Sequence, residues 1–326
     1  MLAYAIRRVL ILVPLVFGMA IAAFCLMLFF PGDPVTVLLG EAAPPEQIAL
    51  MRDSLGLDLP WLQRLGQYLW GVAQGDLGLS IFQRRPVTTI ILERLPATVE
   101  LAVCAMLIAV VLGLVLGVVA ALWRGSAIDL GVMLIAQLGI SMPVFWLGIM
   151  LVYYFSVTLG WLPAISRGPA LVPALGQAVT GDPAPLGTAL RHLLLPALSL
   201  GVGQAAIIAR LVRASVLEVI REDFVRTARA KGLSRPRVMV VHVLSNAMLP
   251  IISVIGLRFG VLLAGAVLTE QIFGWPGLGQ LAISAVSQRD LPLILGLLLT
   301  FGLMFAVVNL IVDLLYGLVD PRITLE

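Results

Sequence analysis

Long apolar runs separated by charged or Pro- and Gly-rich stretches dominate the chain. Six runs cover residues 9–30, 98–122, 130–159, 193–211, 242–268 and 291–316. About 20 residues at 1.5 Å rise cross the ~30 Å hydrocarbon core of a bilayer, so each run predicts a spanning helix. The first run follows Arg7 and Arg8 as a signal peptide would. It is 22 residues long, however, and ends in Pro31-Gly32-Asp33-Pro34 rather than at a small-residue cleavage site, so it reads as a retained span. Six spans place both termini on one side.

Composition agrees. The 326 residues are 60% hydrophobic and 12% charged, more apolar surface than a soluble core of this size needs, and the chain reads as an all-α membrane protein. Basic residues set its orientation. With the N-terminus inside, the inner segments hold twelve Lys and Arg, namely Arg7, Arg8, Arg124, eight between Arg210 and Arg237, and Arg322. The short outer loops hold only Arg167, Arg191 and Arg289, so the termini and the block at 213–241 are expected in the cytoplasm. The net charge of +3 is small and sits mostly in that block, which argues against nucleic acid as a partner. Cys25 and Cys104 fall inside apolar runs, where a thiol behaves as a small hydrophobe, and imply no disulfide framework.

The expected organisation is an N-terminal span (1–30), an extracytoplasmic segment (31–97), a five-helix core (98–316) and a cytoplasmic tail (317–326). In the outer segment, 46–55 has helical character, Gly56 to Pro60 breaks it, and Trp61, Leu65, Tyr68, Leu69 and Val72 recur at helical spacing, predicting two short helices. The outer loop 160–191, with five prolines, is expected to be irregular. After the fifth run, Trp275 suits an interfacial belt and Pro276-Gly277 a tight turn. Gly113/Gly117 and Gly256/Gly260 are small-residue pairs that let helices approach closely, either within the chain or at an interface with another chain.

The stretch 219–250 stands apart. Leu217, Ile220, Phe224 and Ala228 form one narrow apolar stripe of a helix, with Glu218, Arg221, Glu222, Arg226 and Arg229 on the other faces. Gly232 can take the left-handed conformation that ends a helix, and Lys231 before it suits the negative end of the dipole. Ser234 can cap a second helix, with Pro236 in its first turn. Such a segment could lie on anionic lipid or set topology.

This helix–glycine–helix arrangement resembles the EAA loop of permease subunits in binding-protein-dependent ABC importers, where a coupling helix docks into a cleft on a separate ATPase subunit. Arg226-Thr227-Ala228-Arg229-Ala230-Lys231-Gly232 is closest to the peptide, glutathione and nickel branch. Pro31-Gly32-Asp33-Pro34, Gly75 to Ser80, Arg94 to Thr98 and Glu270 to Gly279 resemble the same branch. Two departures stand out: Arg226 replaces the name-giving Glu, and Leu249-Pro250 lies further from Gly232 than usual.

The resemblance implies a six-helix, type I ABC importer permease fold in the inner membrane of a prokaryote. It also implies a homologous second permease near the fifth span, two ATPase subunits that bind ATP and Mg, and an extracytoplasmic solute-binding protein. On that reading Glu222, Asp223, Phe224, Arg226, Thr227, Ala228, Arg229, Lys231 and Gly232 couple to the ATPase. Phe224 and Ala228 form the ridge in its cleft, and Arg226 and Arg229 meet carboxylates at its rim.

Other chemistry finds little support. A Walker A loop needs Gly-x-x-x-x-Gly-Lys-Ser/Thr to cradle phosphates, and the single lysine, Lys231, follows Ala230, so the chain is no Walker-type ATPase. Carboxylates within runs two to four reduce to Glu100, and run six holds only Asp313 near its inner end, which disfavours a proton relay. His192 and His242 flank opposite faces, leaving neither a catalytic constellation nor a metal site. The exception is Arg258, a costly guanidinium near mid-span. It could meet a solute carboxylate in the translocation path, together with Glu270, or form a structural pair with Glu270 or a partner subunit. Expected solutes are dipeptides, oligopeptides or glutathione-like molecules, with nickel or another small solute as the alternative and an ion-coupled secondary transporter as the competing class.

Overall fold

A computed structural model of the chain describes residues 2–28, 35, 43–54 and 58–319. The Pro31-Gly32-Asp33-Pro34 string and Arg322 lie outside the described residues. The first described helices are α1 (Leu2–Leu28), α2 (Pro45–Ser54), α3 (Trp61–Gln74), α4 (Val87–Leu122), α5 (Ala127–Ser141) and α6 (Val144–Leu151). The last of these continues as a π-helical segment over Val152–Thr158. Then come α7 (Leu171–Val179), α8 (Ala184–Val219) and α9 (Asp223–Ala230). A turn at Arg235–Arg237 leads through a π-helical segment, Val238–Leu244, into α10 (Ser245–Gly265). The series closes with α11 (Val267–Ile272), α12 (Leu278–Ser287) and α13 (Leu291–Val319).

Among the described residues, α4, α8 and the first 24 residues of α13 are long and apolar enough to cross a membrane. Two bent helix pairs raise the number to five if each is one span, and α1 adds the shorter apolar stretch Leu10–Leu26. The third run is not a straight span: α5 and the α6–π segment meet at 102°. Pro143 supplies no N–H to continue the ladder, and its ring drives Met142 to an extended φ of −77° and ψ of 125°. The fifth run is likewise bent, by 53°, on either side of Leu249, where Pro250 interrupts it.

Two boundaries also move. Helix α4 starts at Val87, inside the segment expected to lie wholly outside the span, and α8 starts at Ala184, inside the loop expected to be irregular. Pro185 falls in the first turn of α8, where its missing N–H has no helical partner anyway. The same loop also holds α7.

The described residues divide into two compact units, one within 99–275 and 307–319, the other within 2–98 and 276–306. In the first, α8 is the central element and packs against α5, α6, α7 and α10. Its buried face is rich in small residues, including Ala197, Gly201, Ala205 and Ala209. Gly113 and Gly117 of α4 lie against it: a Cβ on Gly117 would stand 2.6 Å from the Ala209 carbonyl oxygen, and one on Gly113 2.6 Å from Ile208 Cγ2. Gly256 meets Val312 in the same way. These three glycines therefore serve packing within the chain. On the other side of α4, Val99, Val103, Leu107, Val111 and Val115 are exposed at four-residue spacing, a stripe suited to hydrocarbon.

The second unit has its core where Val87, Ile90 and Ile91 of α4 meet Leu278, Leu281 and Ala285 of α12 and Leu293 and Leu297 of α13. Two buried polar groups pin it. Thr98 Oγ1 accepts the Leu278 N–H at 2.7 Å. The fully buried Asp290 carboxylate accepts Ser80 Oγ at 2.5 Å and the N–H groups of Ile81 and Phe82 at 3.2 Å. It also accepts the Leu293 N–H, capping α13 while holding the 79–86 loop.

Candidate functional site

The charged segment after α8 begins with a tightened last turn: Arg221 N–H donates to Glu218 O at 3.2 Å and Glu222 N–H to Val219 O at 3.1 Å. Glu222 then turns extended (φ −65°, ψ 148°) and opens α9 with its backbone carbonyl, which accepts from Val225 and Arg226, while its side chain makes no capping bond. The expected continuous stripe from Leu217 to Ala228 is therefore broken at 220–222. Asp223, in the first turn, sits at the positive end of the helix dipole. Its contact with Arg226 (3.3 Å) is between exposed side chains and adds little stability.

The stop of α9 is well defined. Gly232 N–H donates to Arg229 O at 3.0 Å, Leu233 N–H to Ala228 O at 3.4 Å, and Gly232 itself is left-handed at φ +78°. These bonds make a Schellman cap, satisfying carbonyls the helix end would leave bare. Ser234 then precedes the 235–237 turn at ψ 147°, but its side chain makes no capping bond there.

Helix α9 is amphipathic with Val225 and Ala228 as its buried residues. They seat it on the π-helical 238–244 segment, whose Val238 and Val243 are buried in turn. Ala228, expected on the outward ridge with Phe224, therefore faces the chain's own interior. The reason is helical phase: Val225 and Ala228 are three apart and share the inner face, leaving Phe224 43% exposed on the outer one. Glu222, Asp223, Arg226, Thr227, Arg229 and Lys231 are exposed around it.

Two residues that sequence reasoning passed over brace this region. Arg213, on the last turns of α8, makes a two-point contact with Asp129 at the start of α5, Nε to Oδ1 at 2.6 Å and Nη2 to Oδ2 at 2.7 Å. Asp129 Oδ2 also accepts the Gly125 N–H at 2.9 Å, and Ser126 Oγ accepts the Asp129 N–H at 3.4 Å. The Ser-x-x-Asp spacing of 126–129 is a legible capping signature. Its partner 84 residues away is not.

The two residues expected along a path are not brought together. Arg258 is half-buried, its Nε is buried with no hydrogen-bond partner among the described residues, and it forms no ion pair with Glu270 there. The same helix lines an apolar cavity of about 300 Å³ with Ile255, Gly256 and Phe259, facing Val103, Met106 and Val312 among others, and Arg258 is not part of that lining. Glu270 is fully buried and engaged in contacts of its own. Its carbonyl accepts the Trp275 N–H at 2.8 Å. Trp275, expected in an interfacial belt, is 1% exposed instead. The Arg167 guanidinium stands 5.8 Å from its ring and is ion-paired with Glu100, so a cation covers the indole where lipid was expected.

Comparison with known proteins gives a consistent result. The family described as "Binding-protein-dependent transport system inner membrane component" matches residues 113–325, and an N-terminal companion family matches residues 1–102. The chain is 46% identical over 332 residues to the di/tripeptide transport system permease protein DppB of Pseudomonas aeruginosa (strain UCBPP-PA14). It is 45% identical over 335 residues to the dipeptide transport system permease protein DppB of Escherichia coli (strain K12). Each match covers 99% of both chains. Among solved structures, two inward-facing crystal forms of the MetNI methionine ABC transporter align at TM-scores of 0.53 and 0.56. They share 18% identity and cover 71% of this chain and 96% of theirs, a likeness of fold.

Proposed function

This chain belongs to the family of binding-protein-dependent transport system inner membrane components, and on that premise we propose that it is the permease subunit of an ATP-driven ABC importer of small peptides. The observation that carries the substrate class is the end-to-end match to permeases named for dipeptides and tripeptides. In this reading the chain forms half of a type I translocation pathway with six spans, α1 supplying the one that the five others leave wanting. Residues 31–97 lie largely outside the membrane, and the termini and the 213–241 segment are cytoplasmic. A second, homologous permease completes the pathway, two ATPase subunits bind ATP and Mg, and a solute-binding protein delivers the peptide.

Coupling falls to α9. Phe224 is the apolar side chain it presents outward, and Arg226 and Arg229 beside it suit carboxylates at the rim of an ATPase cleft. Val225 and Ala228 anchor the helix from behind. Phe224→Asp places a charge where an apolar contact is needed, so co-purification of ATPase subunits with the tagged chain, or their peptide-stimulated ATP hydrolysis, drops by tenfold or so. Undiminished recovery and stimulation would remove α9 from the docking role.

Arg258 is assigned to the path. A guanidinium at membrane depth whose buried Nε has no hydrogen-bond partner among the described residues suits a peptide C-terminus, which its planar fork can hold at two points. Arg258→Gln then lowers dipeptide uptake with the complex intact. Unchanged uptake would return the residue to a packing role.

A further inference from the structure

A coupling stroke must leave α9 and reach the spans, and the structure offers two routes. One is apolar: Val225 and Ala228 press α9 on the 238–244 segment that leads into α10. The other is ionic. We propose that Asp129 and Arg213 are positioning residues that carry the motion of the coupling segment from the end of α8 into the α4–α5 turn and α5. This inference rests on the coupling reading of α9.

Arg213 stands six residues before the end of α8 at Val219, on the last rigid turns ahead of the coupling segment. One carboxylate gathers three elements there. Asp129 takes both arms of the guanidinium fork, and the same group receives Gly125 N–H from the turn after α4. Ser126, which donates to the Trp123 carbonyl at 2.6 Å, binds the Asp129 backbone and so fixes the start of α5.

Asp129 is buried, its side chain 8% exposed, unlike the open Asp223–Arg226 pair on α9, which water and salt can loosen. A planar two-point pair also fixes orientation, which a single contact does not. Further along, Arg210 Nη1 donates to Gln137 Oε1 at 3.5 Å, and a Cβ on Gly139 would touch Ala206 at 3.4 Å. Helix α5 thus lies along α8, clamped at its Asp129 end. Displacing that end of α8 moves α5, and beyond α5 comes the 102° bend at Pro143.

The test uses the whole complex in proteoliposomes with its binding protein and labelled dialanine, reading dipeptide transported per ATP hydrolysed. Asp129→Asn keeps shape and removes charge. The expected result is an assembled complex that still hydrolyses ATP while transport per ATP falls about tenfold, within the range one coupling free energy spans. The exchange Asp129→Arg with Arg213→Asp restores the ion pair but not the acceptor for the Gly125 N–H, so the ratio recovers in part, to about threefold above the single variants, which loss of packing alone would not allow. Should Asp129→Asn fail to assemble, Arg213→Lys carries the same test by keeping charge and losing the fork. An unchanged ratio in the single variants, or an exchange no better than they are, overturns the proposal. Phe224→Asp run alongside tests the parent reading: if it leaves ATPase recovery and transport intact, that reading falls first and takes this one with it.

Discussion

At Gly232 the backbone stands at φ +78°, and a Cβ there would meet no atom within 4 Å. The demand for glycine is therefore torsional alone, roughly 1–2 kcal/mol for an ordinary L-residue. Asn, which tolerates the left-handed region, should keep the Schellman cap, and Val, branched at Cβ, should not. Gly232→Asn is expected to retain most peptide-stimulated ATP hydrolysis and Gly232→Val to lose most of it, with similar amounts of each inserted in the membrane. Equal activities would mean that the break after α9 bears no strain during turnover. This glycine was legible in sequence because its neighbours are local. Ala228 was misread because the same apolar residue suits either side of a helix until a neighbour claims it.

Among the elements, the 79–86 loop depends on a side chain far along the chain. Asp290 receives Ser80, Ile81 and Phe82, and each buried donor left unpaired costs roughly 1–3 kcal/mol. Asp290→Ala should free the loop, so that trypsin cuts after the exposed Arg84 several-fold faster than in the parent, while Asp290→Asn, which keeps acceptor capacity, falls between. A cleavage rate unaffected by either change would show that the loop is held by other contacts. Nothing in Gly75 to Ser80 announces a partner some 210 residues away. The bend at Pro143, by contrast, could have been expected: Met142-Pro143 in mid-run carries its own steric reason.

For the whole molecule, the distribution of basic residues makes a topological prediction. With Cys25 and Cys104 replaced by Ala, a cysteine at exposed Gln74 should react with a membrane-impermeant maleimide on intact cells, and one at exposed Lys231 only after the membrane is opened. Reaction in the reverse order would invert the orientation. The sequence by itself determined the membrane class, the apolar runs, the α9–Gly232 break and the family, because hydropathy over ~20 residues and single-residue sterics are local properties. Only the tertiary structure decided that Trp275 lies under Arg167 rather than in an interfacial belt, that Gly113 and Gly117 serve α8, and that Asp129 holds Arg213. An apolar side chain has the same reason to leave water whether lipid or protein receives it, and a charge reveals its partner only once the fold has brought the two together.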